Sequence, residues 1–172
     1  GQQPFGMDMS GKRWNHDREP SSLTKKVSPP IYGALIHVDH MNDRNKYTKW
    51  LRKACKAAGC SVLIQRCYKN DNSSLRPMII VGLYAAGGDG TKAVGQVLKH
   101  WRTSKVDVDS KGVPCRERMM TVIVDCGEVV GAEVEEGDNP NDCDEDLSID
   151  ELRILLRSVG GTKWENAMND LV

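Results

Sequence analysis

Apolar residues gather in short runs along this chain, separated by segments with helical periodicity. Ile31–Val38 (I-Y-G-A-L-I-H-V) is apolar and β-branched, and predicts a buried strand. Asp39–Asp43 is polar and offers Asn42 or Asp43 as a cap for a helix from about Arg44 to Ala58. Tyr47, Trp50, Leu51, Ala54 and Ala58 share one face of that helix, and Gly59 stops it. Cys60–Tyr68 predicts a second strand and Lys69–Pro77 a turn-rich connection. Met78–Tyr84 predicts a third strand, whose unbroken apolar run puts it in the sheet interior. After the glycine-rich loop Ala85–Gly90, Thr91–Arg102 predicts a second helix with Val94, Val97, Leu98 and Trp101 inward.

Thr103–Arg118 is polar and irregular. Val106 and Val108 alternate there with Asp107 and Asp109, which fits a short edge strand in a folded-back loop. Its polarity sets it outside the core, so deleting Lys105–Val113 is expected to disturb docking more than folding. Met119–Val124 predicts a fourth strand, followed by the acidic stretch Glu128–Asp146. Ser148-Ile149-Asp150-Glu151 matches the S-x-x-E capping box. Leu152, Leu155, Leu156 and Val159 then form one stripe, stopped by Gly160-Gly161; Thr162–Glu165 repeats the box and opens a last helix through Leu171.

The order strand–helix–strand–strand–helix–strand is the split βαβ plan, so the fold class is α+β, a ferredoxin-like sandwich. The organisation read from the sequence is an extended polar arm over 1–30, a ferredoxin-like domain over 31–125, an acidic loop over 126–147 and C-terminal helices over 148–172. The helices are the candidates to cover the sheet face left free by the first two. The arm has Pro4, Pro20, Pro29 and Pro30 and too little apolar surface to offset its ordering entropy, so a partner is expected to order it.

Composition changes this picture mainly through charge. The net charge is zero, but residues 1–30 balance at +2, 31–118 at +9 and 119–172 at −11. A basic body with an acidic end neutralises itself or faces partners of opposite sign. Lys49, Arg52, Lys53 and Lys56 on the first helix, with Lys105 and Lys111 beyond the second, are the candidate RNA or partner contacts. The apolar runs reach about eight residues where a bilayer helix needs about 20, which excludes such a span. Residues 1–30 lack the apolar centre of a secretory signal, and an intracellular setting is the expectation, with no organelle indicated.

Candidate chemistry is sparse, and no catalytic, cofactor or metal residue is assigned. Cys55, Cys60, Cys67, Cys115, Cys126 and Cys143 are expected as reduced thiols, since Cys55–Cys60 and Cys60–Cys67 lack the C-x-x-C metal spacing. Gly87-Gly88-Asp89-Gly90-Thr91 resembles a phosphate loop of the NAD kinase and diacylglycerol kinase families but lacks the G-x-x-x-x-G-K-[ST] pattern; a plain loop with a cap at Asp89 or Thr91 is the favoured reading. His37 and Asp39 share a face by strand alternation while His40 points elsewhere. An EF-hand begun at Asp142 fails at Leu147 and Arg153. Val122–Asp125 looks like a SUMO-interacting segment, but a core strand gives the same string.

One resemblance is specific. Leu35–Trp50 (L-I-H-V-D-H-M-N-D-R-N-K-Y-T-K-W) and Thr103–Val122, with its T-S-K-V-D-V-D-S-x-G-x-x-C-x-E-x-M pattern, resemble the C-terminal domain of the RWD-domain-containing protein three family. The likeness covers roughly 31–124. That domain is related to the C-terminal ferredoxin-like domain of spliceosomal pre-mRNA-processing factor three, which implies the same fold. The resemblance implies two partner classes: the SUMO-conjugation machinery, contacted in that family mainly through an N-terminal RWD domain, and small nuclear RNA. Residues 1–30 are too short and polar to form an RWD domain. The expectation is therefore a non-catalytic scaffold or adaptor on a larger protein or ribonucleoprotein assembly, with protein subunits as partners, RNA as a further candidate and no small-molecule substrate. A regulator of SUMO conjugation and a nucleotide-phosphate enzyme using Gly87–Thr91 are the alternatives.

Overall fold

The computed structural model describes residues 28–68, 76–129 and 146–171. The expectations for the N-terminal arm, for the connection after Tyr68 and for most of the acidic stretch, Cys143 included, fall outside these residues. The element order is β1 (Ile31–Val38), α1 (Arg44–Ala58), β2 (Ser61–Cys67), β3 (Met78–Ala86), α2 (Gly90–Thr103), β4 (Asp107–Val108), β5 (Pro114–Cys115), β6 (Met120–Val129) and α3 (Ile149–Ala167). A 3-10 turn over Met168–Asp170 ends the described chain.

The main sheet has the order β2-β3-β1-β6, and every neighbouring pair is antiparallel. β1 and β2 are therefore parallel to each other with β3 between them, the split βαβ arrangement of a ferredoxin-like α+β domain. Alternation along the strands then builds two cores. Ala34, Ile36 and Val38 of β1 and Ile79, Val81, Leu83 and Ala85 of β3 face α1 and α2. Leu35, Met78, Ile80 and Tyr84 face the other way, against Leu152, Leu156, Val159 and Trp164 of α3. Because both faces are covered, β3 is buried at every position from Met78 to Ala85, which is why its sequence shows no polar alternation.

The caps explain the helix limits. The Asp43 carboxylate accepts from the Lys46 N–H at 3.0 Å. At Ser148 the full capping box forms: its N–H donates to Glu151 at 2.8 Å, and its hydroxyl accepts from the Glu151 N–H at 3.3 Å. Gly161 holds positive-φ, non-helical backbone (φ 64°, ψ −163°), so α3 is two helical stretches meeting at a kink where the sequence predicts a stop, and Trp164 of the second stretch packs on the sheet. Trp164 lies over a floor of two strand glycines. A Cβ at Gly33 would stand 2.7 Å from the indole, and one at Gly82 2.6 Å.

Two boundaries differ from expectation. β6 runs to Val129, past the expected end at Val124, and so takes in residues read as the start of the acidic loop. Two register shifts against β1 absorb extra β6 residues, so strict alternation fails while the pairing continues. The polar segment after α2 forms the β4–β5 hairpin, and it reaches the core: Val106 and Asp107 are both buried.

Candidate interaction surface

The surface chemistry of the helix layer follows from its inward stripes. Tyr47, Leu51 and Cys55 of α1 and Val94, Val97, Leu98 and Trp101 of α2 take the buried positions. The remaining positions carry Arg44, Lys46, Lys49, Arg52, Lys53, Lys56, Lys92, Lys99 and Arg102, and neither helix contains an Asp or Glu. Between the helices, Trp50 stacks on His100 with ring centroids 5.2 Å apart and planes 9° apart. Trp50 is thus half-buried, with its edge in the core and a face on the α2 imidazole.

Lys49, Arg52, Lys53 and Lys56 are all exposed on α1, at spacings that place them along about two turns of helix. Lys105 and Lys111 are exposed elsewhere. They belong to the segment strapped to the N-terminal end of α1 through Asn42 and Asp43, at the opposite end of that helix from Lys56. Lys46, Lys92, Lys99 and Arg102 complete the acid-free layer, and the missing acids in both helices were the sequence signal for them.

The strap itself is built on carboxylates. Asp107 accepts from the Asn42 N–H at 3.0 Å and the Asp43 N–H at 2.9 Å, and the Asn42 amide donates to the Val108 carbonyl at 2.7 Å. Asp109 accepts from the Lys111 and Val113 N–H groups at 2.8 and 2.9 Å. The Trp101 indole donates to the Tyr47 hydroxyl at 2.8 Å, Tyr47 donates to Glu117, and Glu117 also accepts from the Met119 N–H at 2.6 Å. Burial, then the adjacent Glu117, push the Tyr47 hydroxyl above its ordinary value, so it stays a donor. Asp107 and Glu117 of the long family-like pattern thus hold this segment onto α1 and the chain entering it, and Asp109 closes the hairpin's own turn. The expectation that this segment matters to docking more than to folding has to give way to these contacts.

The other motifs resolve into structure. The Gly87 N–H donates to the Pro30 carbonyl at 2.9 Å and the Gly90 N–H to the Gly87 carbonyl at 3.0 Å, so two amides of the supposed phosphate loop are engaged. A Cβ at Gly90 would stand 2.6 Å from the Ala85 carbonyl oxygen, which accounts for that glycine without a ligand. Asp89 occupies the cap position of α2, with no side-chain capping bond. Asp39 pairs with His40 at 3.0 Å, just past the end of β1 at Val38. A cavity of about 300 Å³ beside this pair is lined by Arg44, Arg66 and Arg76, of which Arg66 contacts Asp146 at 2.7 Å. Val122 and Val124 pair with Ile36 and Leu35 on one side of β6, which is an edge strand of the main sheet. Among the described residues no group of three or more His, Cys, Asp or Glu stands together as a metal site, and no helix is long and apolar enough to cross a membrane.

No protein-family model matches the chain. It is similar to RWD domain-containing protein 3 of Xenopus tropicalis, 29% identical over 107 residues, which are 60% of this chain and 35% of that protein. It is also similar to RWD domain-containing protein 3 of Homo sapiens, 27% identical over 109 residues, 59% of this chain and 34% of that one. The chain spans about a third of the length of these curated relatives. No solved structure matches it. These similarities support a relationship to RWD-domain-containing proteins.

Proposed function

We propose that the chain is a non-catalytic docking module, a scaffold or adaptor in a larger protein or ribonucleoprotein assembly, and that its α1–α2 layer meets an acidic partner. The observation that carries this reading is the acid-free helix layer around the Trp50–His100 stack. Among the described residues the chain's own helices pack on both sheet faces, which favours the charge on that layer over a bare sheet face as the recognition chemistry. The relation to pre-mRNA-processing factor three belongs to the same reading and makes RNA the candidate acidic partner alongside protein.

The test is the combined charge reversal of Lys49, Arg52, Lys53 and Lys56 to Glu, all exposed and outside both cores. It is expected to detach the chain from its copurifying assembly while the melting temperature stays within a few degrees. Retention of the reversed chain would overturn the reading. An RNA titration at two salt concentrations separates the partners, since phosphate contacts weaken steeply with salt, whereas a protein partner shows its salt dependence mainly in association rate.

A further inference from the structure

The C-terminal end of α1 brings two cysteines together. Gly59 holds left-handed backbone (φ 73°, ψ 34°). Its N–H donates to the Lys56 carbonyl at 3.3 Å, and the Cys60 N–H donates to the Cys55 carbonyl at 2.8 Å. These two bonds are the Schellman closure of a helix, whose geometry sets the side chains of those last two residues, Cys55 and Cys60, against each other. That contact is commonly hydrophobic. Here both members are cysteine, buried at 1% and 8% exposure; each thiol perturbs the titration of the other, and the Cys60 thiol also reaches the Ser61 carbonyl at 3.4 Å.

The two thiols are unlike. The Cys55 thiol lowers Cys60 below its ordinary thiol value against the effect of burial, and the Tyr84 N–H adds to the lowering. The same pairing, with burial, raises Cys55. An ionisable thiol beside a protonated one is the arrangement that thiol–disulfide chemistry uses. Cys67 lies on the opposite face of the sheet and Cys115 on the hairpin. Cys126 borders the same core, and its thiol is raised by burial.

We propose that Cys55 and Cys60 are a dithiol site that peroxide oxidises to an intrachain disulfide, stapling the end of α1 to the start of β2. A disulfide needs its two Cα atoms close, and a direct backbone hydrogen bond between the two residues supplies that closeness. The Cys60 thiolate attacks one oxygen of hydrogen peroxide and the O–O bond breaks. The departing hydroxide takes up a proton as water, leaving Cys60 as a sulfenic acid. The Cys55 sulfur then attacks the Cys60 sulfur, the S–S bond forms, the S–O bond breaks, and the hydroxyl leaves as a second water with the Cys55 proton. One peroxide is reduced and two thiols are oxidised.

The test treats the full reduced chain with hydrogen peroxide under native conditions, then denatures it, blocks free thiols and maps peptides by mass spectrometry. Trypsin cuts at Lys56 between the two cysteines, so the disulfide appears as a two-chain peptide. Joint loss of Cys55 and Cys60 labelling, that linked peptide, and recovery of both thiols with dithiothreitol are the expected result. Cys60→Ala should leave Cys55 labelled after the same treatment. If that variant does not fold, the wild-type map decides alone. Full labelling of Cys55 and Cys60 at a dose that oxidises Cys115, or a link from either to Cys126, would overturn the proposal.

Discussion

At the residue scale, the stability of the helix layer runs through a few polar groups that the core cannot leave unpaired. Tyr47 bridges the Trp101 indole and Glu117. Tyr47→Phe strands both partners and should cost about 1–3 kcal/mol of unfolding free energy, measured by urea denaturation. Gly82→Ala places a Cβ 2.6 Å from the Trp164 ring. Overpacking of this kind costs about 1–3 kcal/mol, and a thermal melt should show it. Glu151 is held below its ordinary value by the Ser148 N–H and hydroxyl. The stabilisation from its ionised form is present above the ordinary glutamate range and is lost as pH falls through the lowered value. The gap in melting temperature between the wild-type chain and Glu151→Ala should therefore close on the acid side, and a gap that widens there would contradict the box.

At the element scale, the β4–β5 hairpin is the segment whose role changed most between sequence and structure. Its polar residues serve inward. Asp107 accepts from the chain entering α1, in addition to the cap that Asp43 provides just before that helix. Asp107→Ala leaves two backbone N–H groups without their acceptor and should cost about 1–2 kcal/mol, read from chemical denaturation. Deleting Lys105–Val113 removes the buried Val106 and Asp107 together. Loss of the cooperative melt is the expected result. The limits of β1, α1 and α2 were legible to within about a residue, because caps and apolar periodicity act locally. β6 was legible only to Val124, because its continuation rests on pairing with β1 through two register shifts.

At the scale of the whole molecule, the sheet separates a basic layer from a mixed one. α1 and α2 carry no acid, whereas α3 carries Asp150, Glu151 and Glu165 beside Arg153, Arg157 and Lys163. Removing everything after Asp125 is thus no clean test of whether the acidic residues compete for the basic face. It uncovers Leu35, Ile80 and Tyr84 together, and the truncated chain should lose its cooperative melt and bind a hydrophobic dye. The four-site charge reversal on α1 leaves both cores intact and is the sound test of the docking face. Lys49, Arg52, Lys53 and Lys56 could be read as one exposed face from helical spacing alone. That the segment holding Lys105 and Lys111 is strapped to the N-terminal end of α1 could not, since it depends on contacts between residues more than 60 positions apart.

The sequence by itself determined the order of the four main strands and the helices, made the C-terminal helices the candidates to cover the free sheet face, and fixed the absence of acid from α1 and α2. Each of these follows from periodicity, capping residues and composition, which are written locally in the chain. Tertiary structure decided what distant residues do to one another. Gly33 and Gly82 are 49 positions apart in sequence and become one floor under Trp164 only when β1 and β3 pair. Asp107 and Glu117 look like solvated acids until the hairpin folds against α1, where unpaired N–H and O–H donors give their carboxylates a structural task. Cys55 and Cys60 lack a recognised metal spacing, and it is the closure of α1 at Gly59 that turns their five-residue offset into a contact.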